Sequence, residues 1–282
     1  MSVSDIAISL FDKMRREDIC REPFPHIVVD NVFPEDFANR LLLSMPEFNS
    51  IKQEIHCTSY RFKEDGEPID GSKFIFDSLS VEKKENMTLW NEFFKTLLKK
   101  EEARKFWRCF EDEIASIYPS LYEQLHNFDS WRVGRRGQDA AEDHDFLLDA
   151  ELVYHSPSTS VSQERGPHIK VRNKVLECHF MMRHPEDRTE GGDLELYRFN
   201  EKCFITYEPQ QQIKNLASIT RVKTIPFKHN QCVAWLNTAS TVMTYSPRQP
   251  GVWPLQYMAA LIQLPMPIFA LPSYAAGKAA RP

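Results

Sequence analysis

The sequence has few of the features that mark several common functional classes. It contains nine glycines in 282 residues and no pair of cysteines at C-x-x-C spacing. Its six cysteines match no zinc motif, so we interpret them as reduced and mostly buried thiols. The net charge of -5 provides no general attraction to nucleic acid, and no apolar run is long enough to span a membrane. We therefore expect neither a nucleic-acid partner nor a membrane partner.

The first residues also lack a targeting signal. Met1–Asp5 contains no basic segment that leads into an apolar one, so we expect no signal peptide and a cytoplasmic location. Hydrophobic residues make up 42% of the chain and charged residues 27%, which is ordinary for a folded protein with a sizeable core. This length allows one large domain or two small ones.

The N-terminal part of the sequence predicts a helix, a strand and a second helix. Residues 4–18 place apolar side chains on one face after Ser4, which is a favourable N-cap. The β-branched run His26–Asp30 predicts a short strand. A second helix is predicted from Pro34, because proline is favoured at the first helical position.

The middle of the chain predicts more helices. Residues 51–86 are polar and rich in turn-forming residues, so we predict short strands or loops there. Between residues 87 and 118, apolar side chains recur at helical spacing, which indicates two helices. The aromatic residues in this segment follow that spacing, and we interpret them as core rather than as a binding surface.

After Phe128 the helical periodicity disappears. Short apolar runs between turns are typical of an antiparallel barrel or jelly roll. The runs are Leu152–Tyr154, Val175–Met182, Leu194–Tyr197, Cys203–Tyr207, Cys232–Leu236, Val242–Tyr245 and Tyr257–Leu264. The polar segment Arg135–Asp143 predicts a mobile loop near the mouth of such a barrel. A helical first half and an all-β second half place the chain in the α+β class.

Two motifs point to a known family. Gly166-Pro167-His168-Ile169-Lys170 is followed some twenty residues later by the segment Gly191–Arg198, which begins Gly-Gly-Asp-Leu-Glu-Leu-Tyr. This combination resembles the core of the Fe(II)/2-oxoglutarate-dependent oxygenases, in which the first motif reads Gly-Pro-His-x-Asp. The segment Pro23–Pro46 resembles the strand-helix opening of small members, and the resemblance by pattern spans Pro23–Leu264. It implies a double-stranded β-helix, which is a jelly-roll or cupin-like fold, braced by N-terminal helices.

Pattern and resemblance together predict one structural domain in three parts. Residues 1–125 form a helical region with a strand-helix opening that packs on the barrel. Residues 126–270 form the double-stranded β-helix, and residues 271–282 form a flexible tail.

The resemblance also locates the expected metal ligands. Family members hold Fe(II) with two His and one carboxylate on one face of the metal. Here His168 occupies the first His position, Lys170 the carboxylate position, and Met243 the second His position. An ammonium group cannot coordinate Fe(II) and repels it, and a thioether is a poor ligand in a nitrogen and oxygen site.

The co-substrate clamp is missing as well. The stretch Asn237–Arg248 resembles a family motif and has the same Asn and Arg at its two ends. These two residues determine how the sequence aligns with that motif. The Arg that grips 2-oxoglutarate in the family falls here at Leu255 or Gln256. Three of the family's residues are thus replaced: the carboxylate ligand, the second His ligand and the Arg of the clamp. We therefore expect no metal site and neither iron nor 2-oxoglutarate as cofactor.

Several polar side chains remain for other chemistry. Along the strand 175–182, Glu177, His179 and Met181 share one face. Our candidates for acid-base catalysis are His168, Lys170, Glu177 and His179. Lys170 is also suited to holding a substrate carboxylate or to forming an imine. The alternative is that Lys170 and Glu177 pair and fill an abandoned site, with His179 as a core residue. Candidate ligand-binding side chains are Met181, Met243, Tyr245, Arg248 and Tyr257.

One further cluster has the composition of a metal site. His144 lies between Asp143 and Asp145, but these residues follow a polar segment, and we interpret them as a solvated loop.

These observations support three hypotheses. The first is an atypical oxygenase-like protein that binds a small molecule in the barrel, with an anion as one option. It would be a repurposed, metal-independent enzyme of natural-product biosynthesis that catalyses a non-redox step. The second is a pseudoenzyme that partners an active oxygenase homologue, as a homo- or hetero-oligomer. The third is an active oxygenase whose metal has moved to His168, His179 and Glu177. The substrate and the reaction stay open at this point.

Overall fold

The described part of the chain forms two β-sheets and a helical layer. The computed structural model describes residues 9–45, 73–163, 165–208 and 211–274. Its α-helices are α1 Glu35–Leu43, α2 Ser78–Glu82, α3 Thr88–Leu97, α4 Lys100–Cys109, α5 Glu111–Ile117 and α6 Pro119–Leu125. Its strands are β1 His26–Asp30, β2 Lys73–Asp77, β3 Val133–Arg135, β4 Phe146–His155, β5 His168–Ile169, β6 Lys174–Met181, β7 Leu194–Phe199, β8 Ile219–Ile225, β9 Gln231–Leu236, β10 Val242–Tyr245 and β11 Leu255–Gln263. In these ranges every helix is too short or too polar to cross a membrane.

The order of the strands defines the architecture. The larger sheet runs β1-β9-β6-β11-β4-β2, and β3 adds to it in parallel beside β4. The smaller sheet runs β5-β10-β7-β8, and its pairings are antiparallel. Each sheet combines strands from distant parts of the sequence, as in a jelly roll. The topology confirms the predicted α+β double-stranded β-helix.

Side chains alternate between the two faces of the larger sheet. On β6, Leu176, Cys178 and Phe180 pack into the core shared with the helices, whereas Glu177 and His179 lie on the opposite face. Burial of each large apolar side chain stabilises the fold by about 1.5 to 3 kcal/mol. The helical layer therefore holds the outer face of the sheet rigid, and the polar residues of β6 lie between the sheets.

The predicted helix at residues 4–18 is wrong over the part that the structure describes. Residues 9–18 form turns and a short 3-10 helix at Arg16–Asp18. The Ser9 amide donates to Asp12 Oδ2 and the Phe11 amide to Ser9 Oγ, both at 3.0 Å. Such side-chain bonds compete with helical hydrogen bonds. The predicted cap at Ser4 lies outside the described residues.

The predicted pair of helices between residues 87 and 118 is three helices, α3 to α5. Lys99 adopts an extended backbone (ψ 150°) and Phe110 leaves the helical region (φ -104°, ψ 13°), so the chain turns at both points.

The predicted strand His26–Asp30 and the helix beginning after Pro34 are confirmed. For residues 51–86, the described part holds β2 and α2, while residues 51–72 lie outside the described ranges.

Two errors concern the smaller sheet and its surroundings. The predicted strand Cys203–Tyr207 makes only isolated bridges, from Phe204 to Tyr274 and from Tyr207 to Ile213. Strand β8 was not predicted because only its first and last residues, Ile219 and Ile225, are buried, so it lacks an apolar run. The predicted tail is described only as far as Tyr274.

Candidate functional site

His168 and Met243 are direct neighbours in the smaller sheet. They are Cα partners in the register of β5 and β10. His168 is buried, and its Nδ1 lies 3.0 Å from the Gly166 carbonyl oxygen. Burial is the main cause that holds its pKa well below the ordinary value, so the ring is neutral. His168 and Met243, which the motifs align with the two iron-binding histidines of the family, are therefore adjacent in the structure.

Four side chains form a continuous polar chain beside this pair. Tyr245 OH lies 2.7 Å from His179 Nδ1, His179 Nε2 lies 3.4 Å from Glu177 Oε1, and the same oxygen lies 3.1 Å from Lys170 Nζ. Lys174 Nζ is 3.6 Å from that oxygen. We call Tyr245, His179, Glu177 and Lys170 the polar relay. It connects β10 to β6 and to the residue that follows β5.

The relay fixes the tautomer of His179. Burial lowers the pKa of this residue to about 3, so its imidazole is neutral. An ionised carboxylate only accepts hydrogen bonds, so His179 Nε2 carries the proton and donates to Glu177. His179 Nδ1 then accepts from the Tyr245 hydroxyl. This assignment follows from the chemistry of the three groups.

Burial and charge set the ionisation of the other end of the relay. Burial lowers the pKa of Lys170 to about 8, Glu177 raises it, and the nearby cation of Lys174 lowers it further. Burial alone raises the pKa of Glu177, but Lys170 and Lys174 outweigh that effect and hold the pKa well below its usual range. Lys170 therefore exchanges its proton near neutral pH while Glu177 stays ionised.

Aromatic rings enclose the relay. The His179 ring stacks on Tyr257 at 4.2 Å and meets Trp235 edge-on at 4.8 Å, between ring centroids. Lys170 Nζ lies 5.2 Å from the centroid of the Trp235 ring, a cation-π distance. These contacts hold the His179 ring and the Lys170 amine in place.

A cavity of about 500 Å³ opens beside the relay. Its walls include Lys170, Glu177, His179 and Tyr257, and its size is typical of a small-molecule site. Arg136, on the segment predicted to be a loop near the barrel mouth, also lines it. The geometry therefore gives the relay access to a ligand-sized space.

The cavity holds a second charged group that the sequence did not reveal. Arg136 Nη1 lies 2.8 Å from Asp149 Oδ2 and 2.7 Å from Glu151 Oε1. Burial raises the pKa of Asp149 to about 7. Both carboxylates lie within the long apolar run of β4, and two acids spaced two residues apart on a strand share one face. This spacing is visible in the sequence, and it indicates that the two carboxylates lie on the same face of β4.

The other predicted binding residues lie at different distances from this cavity. Met243 and His168 line a narrow hollow of about 20 Å³ that also borders Lys170, His179, Tyr245 and Tyr257. Met181 is fully buried in the apolar cluster between the sheets. Arg248 lines a further hollow of about 30 Å³, which also borders His168 and Tyr245, and its Nη2 donates to Asp187 Oδ2 at 2.8 Å. The predicted residues that come together around the relay are thus His168, Lys170, Glu177, His179, Met243, Tyr245 and Tyr257.

The loop around His144 has ordinary partners. The ring Nδ1 lies 2.8 Å from the Ala140 carbonyl oxygen, and Asp145 pairs with Arg132. Across the described ranges, no group of three or more His, Cys, Asp or Glu side chains is placed to hold a metal ion.

The residues at the family's iron position do not fit Fe(II), and the clamp position does not fit the arginine grip by which the family holds 2-oxoglutarate on that iron. Lys170 directs its amine to Glu177, and the Met243 sulfur belongs to a side chain buried in the apolar cluster. Leu255, one of the two clamp positions, is part of the same cluster. Neither an ammonium group nor a thioether supplies the oxygen and nitrogen donors that Fe(II) prefers.

Three solved structures are similar to this chain. A prolyl 4-hydroxylase structure from Phytophthora capsici matches with 12% identity and a TM-score of 0.47, over 90% of this chain and 64% of that chain. A prolyl-4-hydroxylase of Pseudomonas putida matches with 8% identity and a TM-score of 0.40, over 84% and 92%. The α-ketoglutarate-dependent epimerase SnoN from nogalamycin biosynthesis matches with 9% identity and a TM-score of 0.44, over 90% and 83%.

These similarities concern the fold alone, which rests on the strand order of the two sheets. This chain spans less than two thirds of the length of the Phytophthora protein. No family model and no curated protein sequence matches the chain.

Proposed function

We propose that this protein binds a small anionic molecule in the cavity beside Lys170 and acts as a metal-independent enzyme that catalyses a non-redox step. The observation that carries the proposal is the position of the Lys170 amine. It lies at the wall of a ligand-sized cavity, 3.1 Å from a buried carboxylate, with a pKa of about 8. A group that exchanges its proton near the working pH is suited to general acid-base catalysis.

The charges around Lys170 favour an anionic ligand. Lys174, Lys73 and Arg165 lower the pKa of this amine, and the carboxylate of Glu177 raises it. These residues line the same cavity, whose wall carries five cations and four carboxylates in all, the carboxylates being Asp77, Asp149, Glu151 and Glu177. Burial raises the pKa of Asp149 to about 7, so its negative charge is reduced near neutral pH. Excess positive charge in a partly enclosed space attracts anions and concentrates them.

The proton chemistry follows from the relay. Isomerisation, elimination and cyclisation each require a proton to leave one atom of the substrate and another atom to receive one. Neutral Lys170 accepts the proton, and the negative charge of Glu177 stabilises the ammonium group that forms. His179, held by Tyr245, donates to Glu177 and keeps its carboxylate in place. In this role His179 and Tyr245 are positioning residues.

A second function is favoured by the same ion pair. Lys170 and Glu177 neutralise each other, which also fits a pseudoenzyme that keeps the fold and serves as a partner of an active homologue, in a homo- or hetero-oligomer. This alternative requires no ligand in the cavity. A binding measurement therefore separates the two functions.

Malonate is a suitable probe because it is a small dianion without a reactive carbonyl group. Isothermal titration calorimetry is expected to show saturable binding that weakens as the pH rises through about 8, where Lys170 loses its charge. Lys170→Ala is expected to weaken binding by at least about tenfold, which corresponds to the loss of one charged contact.

The matched control is Lys95→Ala, which removes a surface lysine that is 53% exposed and pairs with Glu92. It is expected to leave malonate binding unchanged. If malonate does not bind, or if both variants bind it as the unmodified protein does, the proposed function is wrong. Absence of binding, together with co-purification of an oxygenase homologue, supports the pseudoenzyme.

A further inference from the structure

We infer that the ligand of this cavity is an aldehyde or ketone carrying a carboxylate, and that its carbonyl carbon forms an imine with Lys170 Nζ. This inference rests on the proposed function and names its substrate class. It assigns Lys170 as the catalytic residue in covalent contact with substrate, with Glu177 and Lys174 as its partners.

Two amines share one carboxylate oxygen at this site. Lys170 Nζ and Lys174 Nζ lie 3.1 Å and 3.6 Å from Glu177 Oε1. Because Glu177 is shared with Lys174, it offsets the positive charge of Lys170 only in part. A second cation next to a desolvated lysine is a known means of activating an amine as a nucleophile. The side chain of Lys170 is only 13% exposed, which adds the desolvation.

The aromatic wall keeps the amine in place for attack. Lys170 Nζ lies over the Trp235 ring and borders both the cavity of about 500 Å³ and the narrow hollow beside His168. A carbonyl carbon in the cavity is thus approachable by the amine, while the ring and Glu177 hold the lysine side chain.

The cations around the amine specify the rest of the ligand. Lys73, Arg165 and Lys174 line the cavity and act electrostatically on Lys170. A carboxylate next to the carbonyl group of the ligand lies among these charges when the carbonyl carbon reaches Lys170 Nζ. An uncharged ketone lacks this attraction.

The reaction balances without an oxidant, a reductant or a further co-reactant. The neutral amine adds to the carbonyl carbon and forms a C–N bond, while the carbonyl oxygen takes up the proton that the nitrogen loses. The resulting carbinolamine expels its hydroxyl group with a second proton as water, and the C–O bond breaks. The products are one imine and one water. Both protons of the water come from the amine nitrogen, the first during addition and the second during loss of water, and the ionised carboxylate of Glu177 stabilises the positive charge on nitrogen between these steps.

Reductive trapping tests this inference directly. The protein is treated with pyruvate and sodium cyanoborohydride near neutral pH, and the product is analysed by intact mass and peptide mapping. At about pH 7.5 an amine with a lowered pKa has a neutral fraction roughly a hundredfold larger than that of an ordinary lysine. We expect one reduced adduct, located at Lys170 and saturable with pyruvate, and much slower trapping of acetone.

Lys170→Arg is the matched variant, because a guanidinium group keeps the ion pair with Glu177 but forms no imine under these conditions. It is expected to lose the adduct, whereas Lys95→Arg, at an exposed lysine outside the cavity, is expected to retain it. The imine is refuted by labelling that spreads evenly over surface lysines, or by an adduct that persists in Lys170→Arg. Malonate binding without a pyruvate adduct overturns the imine and leaves the proposed function standing, whereas failure of both overturns both.

Discussion

Replacement of Glu177 by Gln is expected to lower the free energy of unfolding by about 3 to 5 kcal/mol. Glu177 is 3% exposed, and its Oε1 is the carboxylate oxygen nearest to both Lys170 and Lys174, whose side chains are each 13% exposed. In the variant, Lys170 and Lys174 lose the negative charge that they share, and the neutral amide oxygen of Gln is a weaker acceptor for the His179 Nε2 proton than a carboxylate. Urea unfolding at neutral pH measures this change.

A double-mutant cycle identifies the cause. Lys170→Met in the Glu177→Gln background is expected to recover part of the lost stability, because it removes one of the two uncompensated cations. Glu92→Gln is the surface control, since the pair of Glu92 with Lys95 is 46% and 53% exposed and is worth less than about 1 kcal/mol. An effect of Glu177→Gln no larger than that of Glu92→Gln shows that the relay is not a buried charge network.

Gly191→Ala is expected to destabilise the fold by about 3 kcal/mol or more, through backbone strain and a direct clash. Gly191 has a φ of +81°, and a Cβ placed on it lies 1.9 Å from the carbonyl oxygen of Pro247. Neither atom has room to move, since the contact joins two backbones at the start of β7 and the end of β10. Thermal unfolding followed by circular dichroism measures the loss.

Gly166→Ala is the matched control for this glycine. A Cβ on Gly166 meets only the flexible side chain of Gln212, at 3.4 Å, and the backbone there needs no positive φ. We expect a change within about 0.5 kcal/mol. Equal losses for Gly166→Ala and Gly191→Ala contradict the explanation, because only Gly191 combines a left-handed backbone with a backbone contact.

Much of the fold was predictable because its signals are local or tied to a motif. The run His26–Asp30 and the apolar runs of β6, β9, β10 and β11 are short, β-branched and bounded by turns, so they predict strands directly. Strand β8 escaped detection because its exposed residues, among them Arg221 and Lys223, hide its pattern. The segment 9–18 was mistaken for a helix because its buried side chains follow helical spacing while its polar side chains bond to the backbone.

The site was predictable only in part. Strand alternation placed Glu177 and His179 on one face, and the motif placed Lys170 near them. The participation of Tyr245 as partner of His179 depends on the packing of β10 against β6, which involves residues 66 positions apart. The spacing of Asp149 and Glu151 indicates that they share a face of β4, but their pairing with Arg136 likewise depends on tertiary contacts.

The central claim is that this oxygenase-like fold does not use iron and 2-oxoglutarate in the usual way. The most direct measurement is purification without chelators, followed by metal analysis and anaerobic calorimetric titration of 2-oxoglutarate in the presence of Fe(II). Lys170 and Met243 at the family's ligand positions lead us to predict far less than one equivalent of iron and no Fe(II)-dependent binding of 2-oxoglutarate. Stoichiometric iron together with micromolar, Fe(II)-dependent binding of 2-oxoglutarate would contradict the claim.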